Sequence, residues 1–399
     1  MSDAHPSLNA RKDPLGFLRT QVGAGSLRTL ARRYRKYAMF LALIVLWIGF
    51  QLLSHGVFLS TRNLALLARQ TSITGILTIG AVILIVSGNF DISTGSVLGL
   101  TGGIAAILHV WMGWSALPAI LAAIGVGLAI GAWQGYWVAY KRVPSFIVTL
   151  AGLMIWRGVL LVLTQGKTIA PVRESFAFLG SGFLSRPLGI LLLIGAITLV
   201  AVSAFATRRN KQKYGLPVPP LATTVASTAL TVLLMIAFVS ILNGYHGIPV
   251  PVAFLILLVA AFSWVMSRTT FGRAIYAIGG NTEAASLSGV RVKRNLLLGF
   301  VIMSGLCALA GVLMTARMNA AAPTAGTGME LDAIAAAVLG GTSLSGGIGT
   351  ITGGILGAVI MATLDNGMSL FNISSYYQII VKGLILLLAV WFDISAKNK

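Results

Sequence analysis

Long apolar runs separated by short polar breaks dominate this sequence. A bilayer crossing takes roughly 17–25 apolar residues. Runs of that kind lie at 38–58, 64–86, 92–110, 115–139, 144–164, 189–206, 222–242, 249–267, 295–316, 330–345, 348–367 and 374–392. These twelve segments predict an all-α, polytopic membrane helical bundle. The tenth is short, polar in places and glycine-rich, and reads as a re-entrant or broken helix. No polar stretch within the body is long enough for a soluble domain, the longest being 268–294. The expected organisation is a basic segment 1–37, one membrane domain over 38–393 and a tail over 394–399. The first 37 residues lack the apolar core of a cleavable signal peptide, so the run from Ala38 is expected to remain as an anchor.

Composition strengthens this reading. Of the 399 residues 57% are hydrophobic and only 10% charged, where soluble domains carry about 25% charged residues. The net charge of +20 would suit a nucleic-acid binder, but the basic residues sit in loops between apolar spans. That is the positive-inside pattern of membrane topology, and no nucleic-acid partner is expected. With the N-terminus inside, the inside segments hold twenty-one of the 29 basic residues. The outside segments hold Arg62, Lys167, Arg173, Arg186 and Arg317, while Arg69, Arg157 and Lys382 stay within spans. The asymmetry predicts both termini on the cytoplasmic side. No Gly-x-x-x-x-Gly-Lys-Ser/Thr phosphate loop occurs, so any ATP hydrolysis would come from a partner. Cys307 lies alone in an apolar run and reads as a small packing residue.

The loop 268–294 carries the clearest local signal. Asn281 suits an N-cap, and Glu283 falls in the first turn, where the helix dipole favours a negative charge. Ala284, Ala285 and Leu287 favour helix, and Gly289 suits a C-terminal stop. The pattern predicts a short helix, capped at both ends, on the basic side of the membrane. So short a helix is marginal alone. It reads equally as an interfacial connector between spans 8 and 9 or as a docking element for another protein.

A resemblance decides between the two. Glu283-Ala284-Ala285 followed, after three residues, by Gly289 resembles the coupling segment of bacterial ABC importer permeases. The surrounding run is similar to that of the ribose/xylose/arabinose-type sugar permeases. So are Ser87-Gly-Asn-Phe-Asp91-Ile-Ser93-Thr-Gly95-Ser96, Val143-Pro144-Ser145-Phe146-Ile147-Val148-Thr149-Leu150 and the Gly-rich Ala336–Gly347 segment. Residues 187–244 hold an additional pair of spans with a basic hairpin at Arg208, Arg209, Lys211 and Lys213, which resembles the xylose-type branch. The resemblance implies a bacterial inner-membrane permease without catalytic residues, metal or cofactor of its own. ATP and Mg would be bound by a partner ATPase subunit. The other expected partners are a periplasmic sugar-binding protein, a second copy of the chain and the lipid bilayer. It further implies that Gly272, Arg273, Asn281, Glu283, Ala284, Ala285, Ser288 and Gly289 meet the ATPase. Asn89, Asp91, Ser93, Ser96, Thr342 and Ser343 are the residues expected along the sugar path or its gate.

Asp91 is the sharpest of these polar groups, because an ionised carboxylate in hydrocarbon needs a partner, a cavity or the interface. The glycines and small hydroxyl residues around it permit a broken helix lining a cavity. The plainer reading has Asp91 capping span 3 at the inner interface. Gly340–Gly347 reads as a hinge or as a tight turn with close helix packing, and Gly-x-x-x-Gly spacings such as Gly353 and Gly357 are common in membrane helices. Glu330 and Asp332 suit the outer start of span 10, and Asp365 and Asp393 the interface. Trp111, Trp114, Trp133, Trp137, Trp391 and Tyr376 fit aromatic belts.

Two other function classes remain open to the residues alone. An ion-coupled sugar carrier would place ionisable groups at the midplane and show repeated halves. A membrane enzyme would want paired carboxylates or clustered histidines, whereas His5, His55, His109 and His246 are scattered.

Overall fold

The computed structural model describes residues 39–395, so the expectations for 1–37 and for 396–399 lie outside the described residues. Residues Met1–Gly49 and Phe50–Lys399 form separate compact units. The described part of the first is helical and belongs to the short apolar helix α1, Met39–Leu53.

The second unit follows as α2 (Thr61–Val86), α3 (Thr94–Ala106, continued by a π-helical turn Ile107–Trp111), α4 (Ala116–Ala139), α5 (Ser145–Thr164) and α6 (Glu174–Ser181). Next come β1 (Phe183–Leu184), α7 (Arg186–Lys213), α8 (Leu221–Asn243), β2 (Ile248–Pro249), α9 (Val250–Arg268), α10 (Thr270–Gly280) and α11 (Thr282–Leu287). The chain closes with α12 (Val292–Met318), α13 (Met329–Leu339), α14 (Ile351–Leu370) and α15 (Ser375–Ser395). Among the described residues, 9 helices are long and apolar enough to cross a membrane, and α1 and α15 carry shorter apolar stretches.

Burial separates the core from the lipid-facing helices. The apolar window of α2 is 83% buried and that of α7 only 6%. Helices α2, α3, α12 and α14 surround one apolar core built on Ile76, Leu77, Ile83, Leu98, Phe300 and Leu313. Lipid tails are as apolar as these side chains, so close backbone approach must supply the packing energy. Glycine provides it: Gly127, Gly131 and Gly135, one turn apart on α4, lie against the backbone of α12 at Ser304, Phe300 and Leu297. The Gly353–Gly357 spacing serves the same purpose, seating α14 on the carbonyls of Gly340 and Ala336. Cys307 is buried and free, as its surroundings predict.

The added helices α7 and α8 pack on each other, and α8 reaches α2. Their base is closed by an antiparallel strand pair, Phe183 opposite Pro249 and Leu184 opposite Ile248. A hairpin pinned at its root leaves later helices in place, which is how the fold accommodates it.

The tenth apolar run, 330–345, does not form one continuous spanning helix. Helix α13 has 11 residues, about 16 Å at 1.5 Å per residue, and cannot cross a core of about 30 Å. It runs antiparallel to α14, and the following turn reaches the end of α2, where Gly347 N donates to Val86 O at 2.8 Å. At the other end of α2, Asn63 and Asn366 of α14 exchange amide hydrogen bonds of 2.8 and 3.1 Å. The segment is therefore a broken helix. Its N-terminal end is held by Asp332, whose Oδ2 lies 2.9 Å from Lys382 Nζ of α15.

Candidate functional site

The residues singled out in the sequence fall into three places. The first is the connection between α2 and α3. Ser87 closes α2, and Gly88 takes a positive φ of 79° that turns the chain back against the bundle. Phe90 N donates to Ser145 Oγ of α5 at 3.3 Å, and Asn89 Nδ2 donates to Ser87. Asp91 is 5% exposed and Ser93 fully buried. Asp91 Oδ1 accepts from Ser93 N at 2.8 Å and from Ser93 Oγ at 2.6 Å. Ser93 Oγ in turn accepts from Gln134 Nε2 of α4 at 2.7 Å. Asp91 is thus not the cap residue of α3; it closes a buried Asx turn just before that helix. Ser93 takes the cap position of α3 but makes no side-chain cap bond. Ser96 is buried one turn further along.

The second place is the turn between α13 and α14. Thr342 and Ser343 are buried there, Thr342 beside Gly349 and the end of α2. Thr342 N donates to Ala337 O, and Ser343 N to Ile348 O. Gly346 and Gly347 take positive φ values of 80° and 73°, and both lie on the backbone of Gly279 and Gly280.

The third place is α10 with α11. The short helix forms over Thr282–Leu287, with Asn281 Oδ1 accepting from Ala284 N at 2.9 Å and Gly289 at φ 81°. Ala285 is buried, while Glu283, Ala284 and Ser288 are exposed and Leu287 is 85% exposed. Helix α10 lies within the stretch that the sequence presents as loop 268–294. In it Gly272 is buried and Arg273 exposed. Thr269 caps α10 by accepting from Gly272 N, and Tyr276 Oη donates to Gly349 O at 2.7 Å.

These three places share one open cleft of about 400 Å³, lined among others by Ser87, Asn89, Ser145, Gly279, Thr282 and Ser345. A broader groove of about 960 Å³ runs along α7, but one helix supplies its whole lining, so it is a helix face.

Other polar groups answer the charges expected inside spans. Lys382 lies between Asp332 at 2.9 Å and Asp365 at 3.4 Å, so Asp365 belongs to an ion cluster. Arg157 donates to Pro323 O and Ala325 O at 2.9 and 2.8 Å, holding the chain that leads into α13. Arg69 stacks over Phe183 at 4.3 Å. Trp133 stands edge-on to Trp156 at 5.5 Å and to Trp137 at 6.3 Å, forming an aromatic cluster between α4 and α5. Such long-range partners leave no local sequence signal. For Gln134 alone a hint existed, a lone amide among small and apolar residues on α4.

A family model described as the permease component of a branched-chain amino acid transport system matches residues 63–390. The chain belongs to this permease family. The xylose transport system permease protein XylH from Escherichia coli K12 is 44% identical over 382 residues, covering 95% of this chain and 96% of that protein. XylH of Haemophilus influenzae is 45% identical over 365 residues, 91% of this chain and 97% of that one. The ribose import permease protein RbsC of E. coli K12 is 36% identical over 337 residues, 84% of this chain and 87% of that one. No solved structure matches the chain significantly. As a permease component, the protein is a multi-pass membrane transport subunit that works with other components of its system.

Proposed function

We propose that this permease is the membrane subunit of an ATP-binding-cassette importer that moves D-xylose into the bacterial cytoplasm. Similarity to two xylose permeases over more than nine-tenths of the chain carries the substrate assignment. In this reading the chain sits in the inner membrane with both termini inside, pairs with a second copy, and receives sugar from a periplasmic binding protein. ATP is hydrolysed by a partner subunit docked beneath α10 and α11. The exposed Leu287 and Glu283 on a capped helix outside the spans support that docking.

The shared cleft supports a mechanical route. Movement of α10 bears on Val86 and Gly347 through Gly279, and on Gly349 through Tyr276. Both routes meet Val86, the last residue of α2 before the 87–93 connection, so one displacement would shift the α2–α3 and α13–α14 breaks together. Transport then needs two arrangements of the bundle whose balance the ATPase changes.

The test is reconstitution in liposomes with the cognate ATPase and binding protein. Xylose-loaded binding protein should stimulate hydrolysis and uptake, and Glu283→Arg should uncouple them. Failure of the ATPase to associate would sink the importer reading. The partly buried Asp332–Lys382–Asp365 cluster is the one observation favouring an ion-coupled carrier, which predicts uptake driven by a proton gradient without ATP.

A further inference from the structure

We infer that Asp91, Thr94, Gln134 and Trp156 form a subsite for sugar hydroxyls between α3, α4 and α5, an inference that rests on the importer reading. Four buried polar atoms, on residues that meet here or directly adjoin Ser93 in the chain, have no hydrogen-bond partner among the described residues: Asp91 Oδ2, Thr94 Oγ1, Gln134 Oε1 and Trp156 Nε1. Asp91, Thr94 and Gln134 are 5%, 1% and 0% exposed. A buried polar atom left unpaired loses its hydration without compensation, so a group of them calls for an explanation.

Asp91 and Gln134 are each held by one end. Asp91 is fixed through Oδ1 and Gln134 through Nε2, both by Ser93, and this leaves Asp91 Oδ2 and the Gln134 carbonyl oxygen Oε1 without a partner among the described residues. Gly152 of α5 locates the gathering. A methyl group built there would stand 2.6 Å from Gln134 Nε2, 3.1 Å from Trp156 Nε1 and 3.2 Å from Ser93 Cβ.

The mixture of groups selects the ligand chemistry. Asp91 Oδ2 and Gln134 Oε1 only accept, Trp156 Nε1 only donates, and the Thr94 hydroxyl does either. A cation would meet the indole N–H and the positive N-terminal end of α3. An anion would meet the Asp91 carboxylate. A neutral polyol offers a donor and an acceptor on every hydroxyl and satisfies all four. The rings of Trp156 and Trp133 add an apolar face for the C–H side of a pyranose. The subsite is closed in this arrangement. Helix α5 packs on α3 and α4 and leaves Met154, Ile155 and Val162 exposed on its other side, so displacement of α5 opens it.

The test uses the full reconstituted importer and compares uptake of xylose with that of each monodeoxyxylose. Wild type, Thr94→Val, Gln134→Leu and Trp156→Phe are measured with the same binding protein, so upstream selection cancels. One neutral hydrogen bond is worth about 3- to 10-fold in discrimination. Each variant should lose that factor against the analogue lacking its partner hydroxyl, and against no other. Xylose and all analogues falling together would mark a packing or water-binding role and overturn the subsite, as would unaltered ratios. A wild-type protein without ATP-driven xylose uptake would take the importer reading down as well. Wild-type uptake with unaltered ratios in the variants would remove the subsite alone.

Discussion

Replacing Lys382 by methionine should be among the most destabilising single changes in the membrane-embedded part. One ammonium group joins three helices: it lies 2.9 Å from Asp332 Oδ2 on α13 and 3.4 Å from Asp365 Oδ1 on α14. The first contact is also a hydrogen bond, whereas Asp365 Oδ1 is held by charge alone. Methionine keeps the length of the side chain but leaves two carboxylates facing each other in a poorly solvated site. Removing one partner of a buried pair costs about 3–5 kcal/mol. The Lys382 side chain keeps 20% exposure, and a carboxylate stranded there can take up a proton, so the expected loss is about 3 kcal/mol, at the lower end of that range. That is roughly a hundredfold in the folding equilibrium. Unfolding in mixed micelles, followed by tryptophan fluorescence, would measure it. Asp332→Asn should cost less, Asp365→Asn less again, and the triple variant with Lys382→Met should recover most of the loss. A Lys382→Met protein within about 0.5 kcal/mol of wild type, or a triple variant weaker than the single one, would refute this account.

Three further outcomes follow from the same geometry. Gly279→Ala would drive a methyl into the Val86 carbonyl and the Gly347 backbone, so stimulated ATP hydrolysis and sugar uptake in liposomes should both collapse. Asn366→Leu should cost about 1–3 kcal/mol by stranding the amide of Asn63; the double variant with Asn63→Leu should regain part of it in the same unfolding assay. Asn281→Ala removes the cap of α11, worth about 1 kcal/mol, and should lower ATPase affinity in pull-down titration while leaving the melting of the bundle unaltered.

Much of the architecture was readable from hydropathy because a membrane span must satisfy its backbone internally over a fixed length. The α11 cap was equally readable, since Asn281, Glu283 and Gly289 act within one or two turns of one another. The added hairpin α7–α8 showed as two further apolar runs. Its closure by β1 and β2 did not, because Phe183 and Pro249 are joined only in space. Helix α10 was read as loop: its apolar positions are too few for a span, and its helical form is secured by burial of Ile275 and Ile278.

Asp91 marks the boundary between the two kinds of information. Its residue type and small neighbours announced an unusual place in the chain, but they fitted an interfacial cap as well as a broken helix lining a cavity. Only the arrival of Gln134 from α4 and Gly152 from α5 decided the matter. Lys382 and Asp332 tell the same story across fifty residues of sequence. The sequence by itself determined the membrane environment, most spans, the capped helix and the positions of glycine. Tertiary structure alone decided which charge meets which, how short α13 is completed by its turn, and which polar atoms gather in the core. The physical reason is range: solvent transfer and capping act on neighbours along the chain, whereas ion pairing and buried hydrogen bonding act between groups that only packing brings together.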